Sequence, residues 1–183
     1  MSIFHLSRPV RRADLARGPV TVDIVPTEAE RAAIVRDFGL LGLDAFAASV
    51  TLTEIRGGKG VRATGSLRAR PVQACVVTLD PVTQEMAAEI AVTLLAPELL
   101  PEEETAEGDT LIDLDAEDVE ALEGDTVDAG ALALEEFALS LDPNPRAAGA
   151  ELPAAAKDAG AAEEHPFARL AALKSGSGEP DAG

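Results

Sequence analysis

Apolar and polar residues alternate along Val20–Val25, with β-branched side chains at the apolar positions. This predicts a half-buried strand that Pro26 ends. Thr27-Glu28-Ala29-Glu30 has the S/T-x-x-E form of a capping box, in which hydroxyl and carboxylate each take one orphan amide. A helix should follow to about Asp37, with Ala33, Ile34 and Phe38 inward and Gly39 as its stop. Ala47–Ile55 and Val61–Ala69 read as two strands joined across Gly57-Gly58-Lys59-Gly60, a loop of hairpin length. Their alternating Thr51, Thr53, Arg62, Thr64 and Arg68 predict one solvated sheet face.

Pro71 punctuates the chain, Val72–Leu79 is expected as a third strand, and Pro81 breaks it again. Glu85–Leu95 is expected as a fourth, with a helical turn as the alternative for Met86–Glu89. Ile3–Ser7, followed by a basic loop, and Leu111–Leu114 are shorter strand candidates. Asp128 is placed to cap a helix over Ala129–Leu141. Leu132, Leu134, Phe137, Leu139 and Leu141 make it apolar on most sides, so it should lie buried against the sheet until Asp142-Pro143-Asn144-Pro145 ends it.

Strands in hairpin order with two helices, 27–38 and 129–141, predict an α+β domain rather than a parallel α/β sheet. The sheet should be antiparallel and curved, with five to seven strands, and barrel-like closure is one form it could take. The domain is expected over 1–146 and contains an acidic loop at 97–109. A flexible linker should follow at 147–164, then a short amphipathic motif at 165–174 and a disordered tail at 175–183.

Charge changes this picture more than size does. The 183 residues carry a formal charge of −18, and its distribution is uneven. Residues 1–70 hold 11 bases and 7 acids, residues 71–145 hold 20 acids and no Lys or Arg, and residues 146–183 hold 4 bases and 6 acids. A stretch without cations repels phosphate, so its middle is no footprint for DNA or RNA and no site for an anionic membrane surface. It suits a basic partner or solubility alone. There is no Trp or Tyr and only five Phe, so base-stacking platforms are excluded. The 35 alanines inflate the apolar fraction, and the core must be built from Val, Leu and Ile.

The chemistry-bearing residues are few. No apolar run approaches ~18 residues, so no transmembrane helix is expected, and the first residues lack the apolar segment of a secretory signal. Cys75, the only cysteine, excludes an intramolecular disulfide and fits a reducing compartment. Its neighbours Ala74, Val76 and Val77 predict a buried, structural thiol with a raised pKa. His5 and His165 are the only imidazoles, and no nucleophile elbow is present, so no catalytic residue is assigned. One Cys and two distant His do not make a zinc site. Counted from Asp113, a calcium loop would need Gly and Glu where Asp118 and Gly124 stand. Loose divalent binding is the alternative to a solvated acidic face there. Gly57-Gly58-Lys59-Gly60 lacks the spacing and following hydroxyl of a phosphate loop. No metal or cofactor is therefore assigned. Arg8, Arg11, Arg12 and Arg17 are the candidate RNA contacts, against the alternative that they pair with the acidic stretch of the same chain.

Cys75-Val76-Val77-Thr78-Leu79-Asp80-Pro81-Val82 resembles the C-x-R-C-L-E-P-V signature of the YceD family, the large ribosomal RNA subunit accumulation proteins. Cys75, Leu79, Pro81 and Val82 match, and Asp80 replaces Glu. Val77 stands for the Arg and Thr78 for the second cysteine, so the Cys pair of the family signature is not matched here. Further along, Asp128, Glu135 and Glu136 resemble the family's Asp-led, acidic-hydrophobic helix, and Pro166-Phe167-Ala168-x-Leu170 is similar to its ending. The resemblance spans roughly residues 1–174 and is densest over 72–146.

The resemblance implies a cytoplasmic, bacterial, non-enzymatic factor that supports synthesis, processing or stability of 23S rRNA. Combined with the charge map, it leads us to expect an acidic surface that binds a basic ribosomal protein or large-subunit assembly factor, with rRNA contact mostly indirect. Glu102, Glu103, Glu104, Glu107 and Asp109 would make the electrostatic contacts, and Phe167 and Leu170 would anchor in an apolar groove. Direct rRNA binding through the Arg-rich N-terminal segment is the alternative.

Overall fold

A computed structural model describes residues 6–100 and 118–151. Close contacts divide the chain into Met1–Ala147 and Ala148–Gly183, and the fold below belongs to the first unit. Its elements are β1 (Pro9–Arg11), α1 (Arg12–Leu15), β2 (Val20–Ile24), α2 (Glu28–Asp37), β3 (Gly42–Ile55), β4 (Gly60–Ala74), β5 (Pro81–Thr83), β6 (Met86–Leu95), β7 (Asp118–Ala121), β8 (Thr126–Asp128) and α3 (Ala129–Ser140).

Six strands form one sheet in the order β2-β3-β4-β6-β7, with β5 paired to the end of β4. The sheet ends at β2 and β7, so among the described residues it does not close into a barrel. The α+β class holds, with three helices in place of the two expected. All pairings in the main sheet are antiparallel except β6–β7, which is parallel. The chain leaves β6 at Leu95 and re-enters the sheet at Asp118, a crossover long enough for parallel pairing. The alternation along β7 is only four residues long, too short to announce the strand in advance.

The long hairpin β3–β4 is the frame. Side chains at even positions of β4 (Arg62, Thr64, Ser66, Arg68 and Arg70) face water, whereas Val61, Ala63, Leu67 and Ala69 are buried. Cross-strand register puts Thr51 beside Thr64 and Thr53 beside Arg62, as the expected wet face requires. Pro71 does not interrupt β4. It lies where β3 bulges, Leu43 pairing with Pro71 and Ala45 with Arg70, and a bulge is one of the few sheet positions that tolerates a missing donor. The expected strand Val72–Leu79 is therefore two things. Val72–Ala74 finishes β4, and residues 75–79 turn the chain back into β5. Met86–Glu89 is strand, not helical turn.

Near the N-terminus, the expected strand Ile3–Ser7 is corrected. Leu6 and Ser7 are not in a strand, Ile3–His5 lies outside the described residues, and β1 begins only at Pro9 and pairs with β8. The short α1 occupies part of the expected basic loop. The strand expected at Leu111–Leu114 also lies outside the described residues.

Both main helices start as their caps dictate. Thr27 Oγ1 accepts from the Glu30 amide at 3.3 Å, and Glu30 Oε2 accepts from the Thr27 amide at 2.8 Å. Gly39, with φ of +62°, takes the left-handed turn that ends α2. Asp128 Oδ1 accepts from the Gly130 and Ala131 amides at 2.9 and 3.2 Å to open α3. The buried face of α3 is Leu132, Ala133, Leu134 and Phe137, joined to Ile24, Ile34, Phe46, Val50, Leu67 and Ile90 in one core. Leu139 does not join it. It is 79% exposed, because the inner face of this short helix turns away from it.

Candidate interaction site

The signature segment forms a tight turn locked to the end of α3. The Cys75 amide donates to the Asp80 carbonyl (2.8 Å), and the Leu79 amide donates to the Cys75 carbonyl (2.9 Å). The Val76 amide donates to the Pro145 carbonyl at 2.9 Å, and the Ala147 amide reaches Cys75 Sγ at 3.3 Å. Leu79 has φ of +64°, a backbone state that costs a β-carbon residue energy, and its side chain is 75% exposed. Gln73 and Gln84 donate to Asp142, at its carbonyl (3.0 Å) and carboxylate (3.2 Å), so the Pro-containing segment after α3 is fastened to β4 and to the approach to β6.

Cys75 is fully buried, as expected, but its ionisation runs opposite to expectation. Hydrogen bonds from the Ala147 amide, then from the Thr78 hydroxyl and amide and the Val77 amide, bring the thiol down from 9.0 to about 6. Donors aimed at sulfur favour thiolate and outweigh the burial that would raise the pKa. Thiolate absorbance near 240 nm should titrate with a midpoint of about 6 in the folded protein and return to the free-thiol range in denaturant. A folded midpoint at or above 8.5 would contradict the donor arrangement.

Asp128 ties the start of the chain to α3. Besides capping the helix, its carboxylate accepts from the Ser7 hydroxyl and from the Arg8 amide at 2.7 Å. The Ala129 amide donates in turn to the Arg8 carbonyl at 3.1 Å. Glu136 accepts from Ser140 Oγ one turn later at 3.0 Å. Glu135 lines a groove beside β7.

The N-terminal arginines are mostly committed within the chain, and their ion pairs are with acids outside the acidic stretch. Arg8 pairs with Glu30 at 2.7 Å, Arg11 with Asp14 at 2.9 Å, and the Arg12 guanidinium donates to the carbonyls of Gly58 and Gly124. Arg17 has no side-chain partner among the described residues. On the open face of β4, Arg62, Arg68 and Arg70 share the surface with Asp23, Glu85 and Glu89, and Arg70 pairs with Glu85 at 2.9 Å. Neither set makes a purely cationic patch.

The Arg8 bond, helped by the Thr27 amide, holds the Glu30 carboxyl at about 2 instead of 4.5. A carboxylate depressed in the folded state contributes stability that is complete above pH 4.5 and is lost as pH falls toward 2. Because the pair is partly solvated, we expect a loss on the order of 1–2 kcal/mol over that window. Urea melts of wild type and Arg8→Met between pH 5 and 2.5 check this. The variant should show the flatter slope, and parallel slopes would refute the pairing.

Glu102, Glu103, Glu104, Glu107, Asp109, Phe167 and Leu170 lie outside the described residues, as do His5 and His165. Among the described residues, no group of three His, Cys, Asp or Glu is placed to hold a metal ion, and no helix is long and apolar enough to cross a membrane.

Comparison with curated proteins and with solved structures returned no match. A family model, described as large ribosomal RNA subunit accumulation protein YceD, matches residues 63–174. The match begins later than the expected residue 1, leaving β1–β3 outside it, but it includes the Cys75 turn, Asp128 and α3. The chain thus belongs to the YceD family of large ribosomal RNA subunit accumulation proteins.

Proposed function

We propose that this chain supports 23S rRNA without catalysis, by presenting carboxylates to a basic ribosomal protein or large-subunit assembly factor in the cytoplasm. The family supplies the role in large-subunit rRNA accumulation. The observation that carries the mechanism is the run of residues 71–145, with 20 acids and no Lys or Arg. Such a surface attracts cationic protein and repels RNA phosphate. The internal commitment of Arg8, Arg11 and Arg12 supports an indirect effect on rRNA over direct grip by the N-terminal segment. The family is described as an accumulation factor, which supports a non-enzymatic role.

A pull-down from lysate at rising salt tests the reading. Wild type should retain a basic large-subunit protein that leaves as salt is raised, because opposed surface charges are screened. Glu102→Gln/Glu103→Gln/Glu104→Gln should release it at lower salt. Identical retention by the triple variant would count against the assignment of these acids.

A further inference from the structure

The Cys75 turn holds an apolar tip out into solvent. The Leu79 amide bonds the Cys75 carbonyl four residues back at 2.9 Å, and Leu79 sits at φ of +64°. This is the left-handed closing turn that glycine usually supplies. A β-carbon there costs energy, yet the leucine side chain is 75% exposed and gains little from the core to offset it. Val76, three positions earlier, is half exposed. Leu41, whose amide donates to the Val72 carbonyl, adds another exposed apolar side chain at the same end of β4. The turn itself is stiff. The Val77 and Thr78 amides reach Cys75 Sγ at 3.4 and 3.5 Å, and the Cys75 amide donates to the Asp80 carbonyl at 2.8 Å. Two exposed charges adjoin it, and neither side chain is paired among the described residues. One is Asp80, which follows Leu79, and the other is Arg146, between the Pro145 carbonyl and the Ala147 amide that hold the turn.

The geometry points to Leu79 as an anchor that enters an apolar pocket of a second protein, with a Lys or Arg at the pocket rim facing Asp80. A strained backbone that displays a leucine without burying it suits recognition better than folding stability. The tip is already ordered, so docking it costs little chain freedom, and one desolvated side chain can carry much of the affinity. With one charge of each sign nearby, apolar burial is the main source of affinity. Asp80, next to the anchor in sequence, sets the sign preferred at the rim. The inference rests on the basic-partner reading above and adds to it an apolar contact that the acids of 102–109 do not make.

The probe is total protein extracted from purified large ribosomal subunits, passed over immobilised full-length protein. The basic protein retained is then purified and titrated, and it should shift the methyl signals of Leu79 and Val76 in NMR spectra. Leu79→Gly should weaken binding at least tenfold, the scale of one buried leucine. The factor should be the same at low and at raised salt, because apolar burial is not screened as ion pairs are. Asp80→Asn should weaken binding less, and only at low salt. Glycine adopts positive φ freely, so Leu79→Gly should keep or raise the urea midpoint of unfolding, which separates lost binding from a lost fold. A lower midpoint would show that the leucine serves the fold and would overturn the proposal. Self-association of the chain that Leu79→Gly abolishes would overturn it too, by making a second copy the occupant. If wild type retains a basic protein and Leu79→Gly binds it as tightly, the turn is wrong and the general reading stands. If wild type retains none, the general reading falls and the proposal falls with it.

Discussion

Phe137→Ala should destabilise the fold by about 3–5 kcal/mol, the usual cost of emptying a buried phenylalanine site. Phe137 is fully buried. Its ring meets Phe38 edge-on (centroids 5.6 Å apart, planes at 83°) and Phe46 at 5.5 Å and 61°. These contacts join α3, the end of α2 and strand β3, so truncation removes area and also two favourable ring geometries. The chain has only five phenylalanines and no Trp or Tyr, so no comparable side chain is at hand to refill the space. Urea unfolding should give a lower midpoint with an unchanged slope. Phe137→Leu, which keeps most of the volume, should recover more than half of the loss. A change under 1 kcal/mol for the alanine variant would mean that α3 is not seated on the sheet as described.

Asp128→Ala should cost about 2–4 kcal/mol, more than an ordinary cap. A capping side chain is typically worth about 1 kcal/mol. Here the same carboxylate also holds the Arg8 amide and the Ser7 hydroxyl. Removing it leaves part-buried donors on both sides without an acceptor, which carries its own desolvation cost. Asp128→Asn keeps the carbonyl oxygen for the cap and should lose roughly half as much. Amide exchange of Arg8, Gly130 and Ala131 should accelerate together in the alanine variant. Acceleration confined to Gly130 and Ala131 would reduce Asp128 to a helix cap alone.

Local chemistry was the most readable part of this chain. The Thr27–Glu30 box, the Asp128 cap, the Gly39 stop and the wet face of β3–β4 depend on residues a few positions apart or on strict alternation, and each was placed correctly. What failed depended on partners far along the chain. Pro71 reads as a break until the bulge opposite it is known. β7 is a strand because β6 is there to pair with, not because Asp118–Ala121 has a pattern of its own. Leu139 looks like core by composition, and only the direction of the inner helical face excludes it.

The interaction site divides in the same way. The Cys75 signature was recognisable from its residues, but not as a turn, and the donor that does most to lower its pKa is the amide of Ala147, which sequence spacing could not bring to it. The arginines invited an RNA reading because charge is visible in sequence and pairing is not. Glu30 and Asp14 were equally plain on the page, yet only the fold aims them at Arg8 and Arg11.

The central claim is that the chain acts on rRNA through a basic protein held by carboxylates. Affinity purification of the full-length protein from its own cells, with and without ribonuclease before elution, tests it most directly. The account predicts that a basic large-subunit protein stays bound after the RNA is digested and leaves when salt is raised. Loss of that protein on ribonuclease treatment alone, with 23S rRNA recovered from the undigested sample, would contradict it.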